Sequence, residues 1–190
     1  MSECEGIERG AVTVAVGRAG VGRGDRELLA AVRGGSGEAA GELVARHWDA
    51  AQRIAYGILG DAHLAEDVTQ EAMVSMLASV GRFDLQRRFE PWLHRIVANR
   101  ALDWARARSR REALPLLVAP PAAEVDPDPA LLEALAALPP DQRAVVVLRH
   151  VAGYGTNEIA RMLGLRRGTV GSRLRRGLDQ LRTTLEECNG

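Results

Sequence analysis

The sequence predicts an all-α protein of two small helical domains joined by a Pro-rich acidic linker, and three observations carry that expectation. From Asp25 onward apolar residues recur at helical spacing, and no pair of segments alternates convincingly enough for strands. Seven of the eight prolines fall between Pro115 and Pro140, and the stretch PLLVAPPAAEVDPDP cannot continue a helix. Charge is segregated about the same break. Arg82 to Arg111 holds nine arginines against three acids, Arg161 to Arg182 holds seven against one, and Glu112 to Gln142 holds six acids and no basic residue. Two basic blocks separated by an acidic spacer suggest two binding surfaces along an extended anionic partner.

Taken in order, residues 1–24 carry six glycines and the short segment AVTVAV. They read as a mostly disordered tail, in which Val12, Val14 and Val16 form a strand only on a partner. The first domain is expected over 25–111. DRELLAAVRGG reads as a short capped helix ended by Gly34 and Gly35. A second helix runs from about Glu38 to Leu59 and stops at Gly60. Asp61 caps a third, through about Val80, and a fourth runs from about Pro91 to Arg108. The linker spans 112–131, stiffened by proline and repelled from DNA by its own acids. The second domain, 132–190, follows. A helix lies near Ala130–Ala137, another starts at Pro139-Pro140 and continues to about Val151, and a helix-turn-helix occupies Gly153–Arg182.

The helix-turn-helix is the most informative stretch. Ala160 lets two helices cross closely, Gly164 tolerates the turn backbone, and the β-branched Val170 locks the second helix onto the first. Val170, Leu174, Leu178 and Leu181 form a narrow apolar stripe, while Thr169, Ser172, Arg173 and Arg176 fall on the opposite side. Hydroxyls and arginines on the outer face of such a helix are what major-groove reading needs. An ordinary solvated helix face is the bland alternative.

Composition narrows the classes. The net charge is zero, apolar residues make up 46% and aromatics 4%, so the cores must be aliphatic. All 25 basic residues are arginine, for which genomic GC bias is sufficient cause. The two cysteines, Cys4 and Cys188, form no CxxC pair, so neither a zinc site nor a disulfide framework is expected. No apolar run approaches a membrane span and the N-terminus MSECEGIERG is acidic, so the expected location is the cytoplasm. No Gly-rich phosphate loop, His/Cys metal spacing or GxSxG is present, and the histidines are scattered. No cofactor, metal or catalytic residue is expected.

Two more constellations stand out. In AEDVTQEAMVSML one side carries Leu64, Ala65, Val68, Ala72, Met76 and Val80, the other Glu66, Asp67, Gln70 and Glu71. An acidic face is usually just solvated, but beside a strongly basic helix it suits a protein partner. In FEPWLHRIVANRALDWARARSRR the core side is Leu93, Ile96, Val97, Ala101 and Trp104, with Trp92, Arg95, Asn99 and Arg106 opposite. Interleaved aromatic and arginine side chains suit unstacked bases as well as phosphates. The preceding loop, GRFDLQRRF, sets Arg82, Arg87 and Arg88 beside Phe83 and Phe89. An inward-packed Trp92 with solvated arginines fits these residues equally well.

Read together, these segments resemble the ECF (extracytoplasmic function) sigma factors of the sigma-70 class, from about Asp25 to Arg182. LGDAHLAEDVTQEAMVSML resembles the part that docks on the clamp-helix coiled coil of RNA polymerase. FEPWLHRIVANRALDWARARSRR resembles the −10 melting and recognition helix, and LPPDQRAVVVLRHVAGYGTNEIARMLGLRRGTVGSRLRRGLDQLR the −35-reading domain. The order and spacing of the three are specific. The resemblance implies that Asp67, Gln70 and Glu71 contact core RNA polymerase. It places Trp92, Arg95, Asn99, Arg100, Asp103 and Arg106 on the −10 helix, with the loop from Asp84 through Arg87 and Arg88 holding a flipped base. It assigns Arg166, Arg167, Thr169, Ser172, Arg173 and Arg176 to the −35 groove. Promoter DNA and core polymerase are the implied partners, an anti-sigma factor is a further candidate, and the free chain is expected to be a monomer. Gly171 departs from a commonly basic position and Thr156-Asn157 from a Ser-x pair. The competing reading is a conventional dimeric helix-turn-helix repressor or activator, with half-sites about 10 base pairs apart.

Overall fold

The computed structural model describes residues 23–111 and 129–188, so the tail up to 22 and the linker up to 128 lie outside the described residues. The local signals act as the sequence suggests. Helix α1 (Asp25–Arg33) starts where Glu27 reaches back to accept the Gly24 amide at 3.3 Å. Ser36 caps α2 (Gly37–Leu59) by accepting the Ala39 amide at 3.2 Å. Asp61 caps α3 (Ala62–Ser79) by accepting the Leu64 amide at 3.1 Å. A 3-10 turn, Val80–Arg82, leads to α4 (Phe89–Arg111). That helix starts two residues before Pro91, a position in the first turn where a missing N–H costs nothing. Then come α5 (Pro129–Ala137), α6 (Pro140–His150), α7 (Thr156–Leu163) and α8 (Arg167–Cys188), with no strand among the described residues.

Helix α2 is the central element of the first group and packs against α1, α3 and α4. Leu28, Leu29, Leu43, Ile54, Ile58, Val68, Met76, Leu93 and Val97 are all buried there. Arg33 pins the turn after α3, donating to the carbonyls of Val80, at 3.1 Å, and Phe83. In the second group α8 packs against α5, α6 and α7, with Ala134, Leu138, Val146 and Leu181 at the centre of a separate small apolar cluster.

The tether suggested two separated bodies; the structure instead packs α6 against α2 and α4, and α7 against α4. One buried cluster runs through both groups, joining Ile54, Ile58 and Leu93 to Ala144, Val147, Leu148 and Ile159. Gly57 makes this approach possible. A Cβ there would lie 3.0 Å from both γ-methyls of Val147. A glycine inside a helix costs about 1 kcal/mol relative to alanine, and here it admits a valine from the other domain.

The second contact explains a correction. Trp104, expected in the core, is 44% exposed. Leu93 and Val97, which flank Trp104 on the helical wheel, are buried, but in the last turns of α4 burial passes to Ala98, Ala101, Leu102 and Ala105, on the side that α6 and α7 cover.

Arg143 ties the seam together. Its guanidinium is buried and donates to Ile58 O at 3.1 Å, Ala136 O at 2.6 Å and Leu138 O at 2.9 Å. Burial, with the nearby charge of Arg108, pulls its pKa down to about 10, so it stays charged at neutral pH. Arg143→Ala leaves three carbonyls without this donor, one of them across the domain seam. The expected loss in urea unfolding is about 2–4 kcal/mol. A loss below about 1 kcal/mol, the scale of an exposed pair, would show that the carbonyls find other donors.

Candidate nucleic-acid and protein interfaces

The helix-turn-helix forms as its residues suggest. Gly164 takes φ +64°, a left-handed conformation that side-chain-bearing residues rarely adopt, and the next amide, Leu165 N, donates back to Ala160 O at 2.8 Å. Val170 is fully buried and Leu181 nearly so, with Leu174 and Leu178 half-buried behind them. Arg166, Arg167 and Arg176 are exposed, Thr169 and Ser172 half-exposed. The Ser172 hydroxyl donates to Thr169 O at 3.0 Å. Arg173 lies at the edge of this face rather than on it. It is half-buried, with Nη1 3.5 Å from Asp141 of α6. Arg175, absent from the expected set, is fully on the exposed side. Its angular position between Ser172 and Arg182 was the available signal.

On α4 the structure gathers Arg95, Asn99, Asp103 and Arg106 on one exposed face, with half-buried Trp92 beside them. Trp92 packs inward on Phe83 and Phe89, ring centroids 4.6 and 5.8 Å apart, and both phenylalanines are buried. The aromatic part of this face is therefore Trp92's outer edge alone. Arg100 points the other way. It donates to Glu71 at 2.5 Å and to the Ser75 hydroxyl at 2.7 Å, joining the basic helix to α3. In the loop before α4, Asp84 accepts the Gln86 amide at 2.9 Å and sits 3.5 Å from Arg87 Nε. Arg87 and Arg88 are otherwise open to solvent, with Arg88 3.6 Å from Glu90.

The acidic side of α3 is exposed at Glu66, Asp67, Gln70 and Glu71, and Val74 continues it as an apolar residue 67% exposed. Asp67 also lines a cleft of about 420 Å³ between α3 and the end of α4, with His63 and Trp104.

Two family models match the chain, Sigma-70 region 2 over residues 43–111 and Sigma-70, region 4 over residues 129–181. The ECF RNA polymerase sigma factor SigM of Mycobacterium tuberculosis is 37% identical over 171 residues, 88% of this chain and 87% of SigM. This chain belongs to the ECF sigma factors of the sigma-70 family. It is also 43% identical over 157 residues to the ECF RNA polymerase sigma factor SigE of Mycolicibacterium smegmatis; the match covers 76% of this chain and 60% of SigE. The sigma factor RpoE of Bartonella quintana, solved in complex with the anti-sigma factor NepR, shares the fold. Its TM-score is 0.67 at 23% identity, over 76% of this chain and 95% of that one. The dimeric repressor reading is not favoured by these relatives. No helix among the described residues is long and apolar enough to cross a membrane.

In this sigma factor the residues that sequence reasoning passed over lie between the two family domains. His94, one of the scattered histidines, is 3% exposed on α4, and its Nδ1 lies 2.7 Å from the Tyr154 hydroxyl in the loop before α7. Burial, assisted by the charges of His47 and Arg53, pushes its pKa from 6.5 down to about 4. The folded chain thus binds this proton later than the unfolded chain as the pH falls. The stability it protects is complete above about pH 6.5 and is lost down to about pH 4, roughly 3 kcal/mol in all. His94→Gln keeps a partner for Tyr154 and removes the titration. Unfolding free energy measured from pH 7 to pH 4 should fall less in that variant than in the wild type. Equal slopes would assign the acid sensitivity to other groups.

Proposed function

We propose that this sigma factor divides its work among three surfaces, the acidic side of α3 for core RNA polymerase, the outer face of α4 for the −10 element, and α8 for the −35 element. The observation that carries this is the segregation on adjacent helices. Asp67 and Gln70 stand exposed on α3, while Arg95, Asn99 and Arg106 stand exposed together on α4. Acids on the first surface repel phosphate, so DNA does not compete with the protein partner there. The arginines of the second attract it. By the same reading the domains run 25–111 and 132–190, with the tail 1–24 and linker 112–131 outside them, and the chain acts in the cytoplasm.

The packing refines individual roles. Glu71 is held by Arg100, so Asp67 and Gln70 are the better probes of polymerase docking. Asp67→Arg with Gln70→Arg reverses the face without touching the core. Core polymerase pull-down should be lost while thermal unfolding stays within about 0.5 kcal/mol of the wild type. Wild-type capture by this variant would remove the docking face from α3.

Promoter melting has an energetic requirement of a few kcal/mol per unstacked step, which capture of the exposed bases offsets. Trp92 is too involved in packing on Phe83 to serve as a clean probe, whereas Arg95 and Asn99 are exposed. Arg95→Ala with Asn99→Ala should retain polymerase binding yet lose permanganate reactivity of −10 thymines, with transcription falling alongside. A template carrying a pre-melted −10 bubble should recover part of the activity. Normal permanganate reactivity would show that strand capture happens elsewhere.

A further inference from the structure

Ion pairs lace the edge where α3 meets α4, and one rung of that lacing is built differently. Asp61, at the start of α3, pairs with Arg108 at 3.3 Å, and Glu71, farther along, pairs with Arg100 at 2.5 Å. Arg100 and Arg108 each stand one helical turn from Trp104 on the same side of α4. At that middle position α4 therefore offers an indole where its neighbours offer guanidinium groups. Trp104 shares a cleft of about 420 Å³ with Asp61, His63, Leu64, Asp67 and Arg108. Asp67 is exposed and has no ion pair among the described residues. The middle rung thus holds an acid and an open aromatic ring, and lacks the cation that completes the other two.

We propose that this rung is completed from outside, by an arginine side chain of core RNA polymerase whose guanidinium stacks on Trp104 and pairs with Asp67. This rests on the assignment of the acidic side of α3 to polymerase, and it adds a residue of α4 to that surface. Tryptophan is the strongest aromatic partner for a cation, and it is among the side chains that anchor protein interfaces. Arginine fits the rung better than lysine. Its flat guanidinium lies on a ring while its edge still donates to a carboxylate, whereas an ammonium is a compact, strongly hydrated charge. The cleft's own charges select a cation. It has two carboxylates, and its one guanidinium, Arg108, is already engaged by Asp61. A DNA strand stacking a base on Trp104 would bring phosphate beside Asp67. The cleft is also continuous with the docking face, since Asp67 belongs to both and Gln70 and Val74 extend the same exposed side of α3.

The test uses the full chain and core polymerase, with circular dichroism and thermal unfolding to confirm folding. Trp104 lies outside the buried clusters, so its replacement leaves the core intact. Trp104→Phe keeps an aromatic face and should bind core polymerase within about threefold of the wild type. Trp104→Leu keeps apolar bulk without the π face and should bind about tenfold more weakly. Asp67→Asn should weaken capture by a similar factor. Because both side chains hold one guanidinium, Trp104→Leu with Asp67→Asn should lose little beyond either single variant.

Losses that multiply in the double variant overturn the shared seat, as do equal losses in the Phe and Leu variants. Normal core binding by Trp104→Leu, with weakened binding of a −10 single strand by the holoenzyme, overturns it in favour of base stacking. The docking assignment is judged separately by Asp67→Arg with Gln70→Arg. Loss of capture in that variant beside wild-type capture by Trp104→Leu overturns the arginine seat alone. Wild-type capture by both overturns the seat together with the docking face.

Discussion

The close approach of α6 to α2 is the constraint on which the rest of the arrangement depends. Val147 is buried only because position 57 carries no side chain. Once α6 is seated there, Arg143 is carried to the end of α2, where the carbonyl of Ile58 takes one of its donors. The loop after α6 is carried over α4, placing the Tyr154 hydroxyl on His94. Neither polar contact would hold by itself against the cost of burying a cation or an imidazole. Each is tolerated because apolar burial along the seam offsets that cost and the contacts replace hydrogen bonds lost from water.

The seam also sets the electrical character of the functional faces. With zero net charge, the chain has no overall positive charge to draw it to DNA. Its attraction must come from local arginine faces, and these are partly neutralised from within. Asp141 sits against Arg106 and Arg173, and Glu71 against Arg100. These acids come from neighbouring helices, so the neutralisation depends on how helices are packed. A change in packing alters the binding surface without changing any residue on it.

Helix α4 shows most clearly what was legible in the sequence. Its exposed cluster of Arg95, Asn99 and Arg106 follows from helical periodicity, because a polar face needs nothing but solvent opposite the core. Its buried arc does not follow. Leu93, Val97 and Ala101 were identifiable as core, but Trp104 was placed there by size and spacing and is largely exposed. The small residues Ala98 and Ala105 are buried instead, because a second layer of helices covers them. Periodicity detects one apolar stripe, and a helix covered on two sides has a wider arc than one stripe describes. On α8 the same limit moved Arg173 to the margin and left Arg175 on the open face.

The helices, their caps, the turn of the helix-turn-helix and the family could all be read from the sequence, because each depends on residues near one another in the chain. Ser36, Asp61 and Gly164 act within a turn of their own position, and family motifs are local strings in a fixed order. That the two domains touch was settled by folding alone, which makes Gly57, His94, Asp141, Arg143 and Tyr154 partners of residues 35 to 90 positions away. No local pattern encodes a contact at that separation. A glycine that admits a valine and a glycine that merely interrupts a helix read the same in sequence, and the difference is the neighbour brought to it by folding.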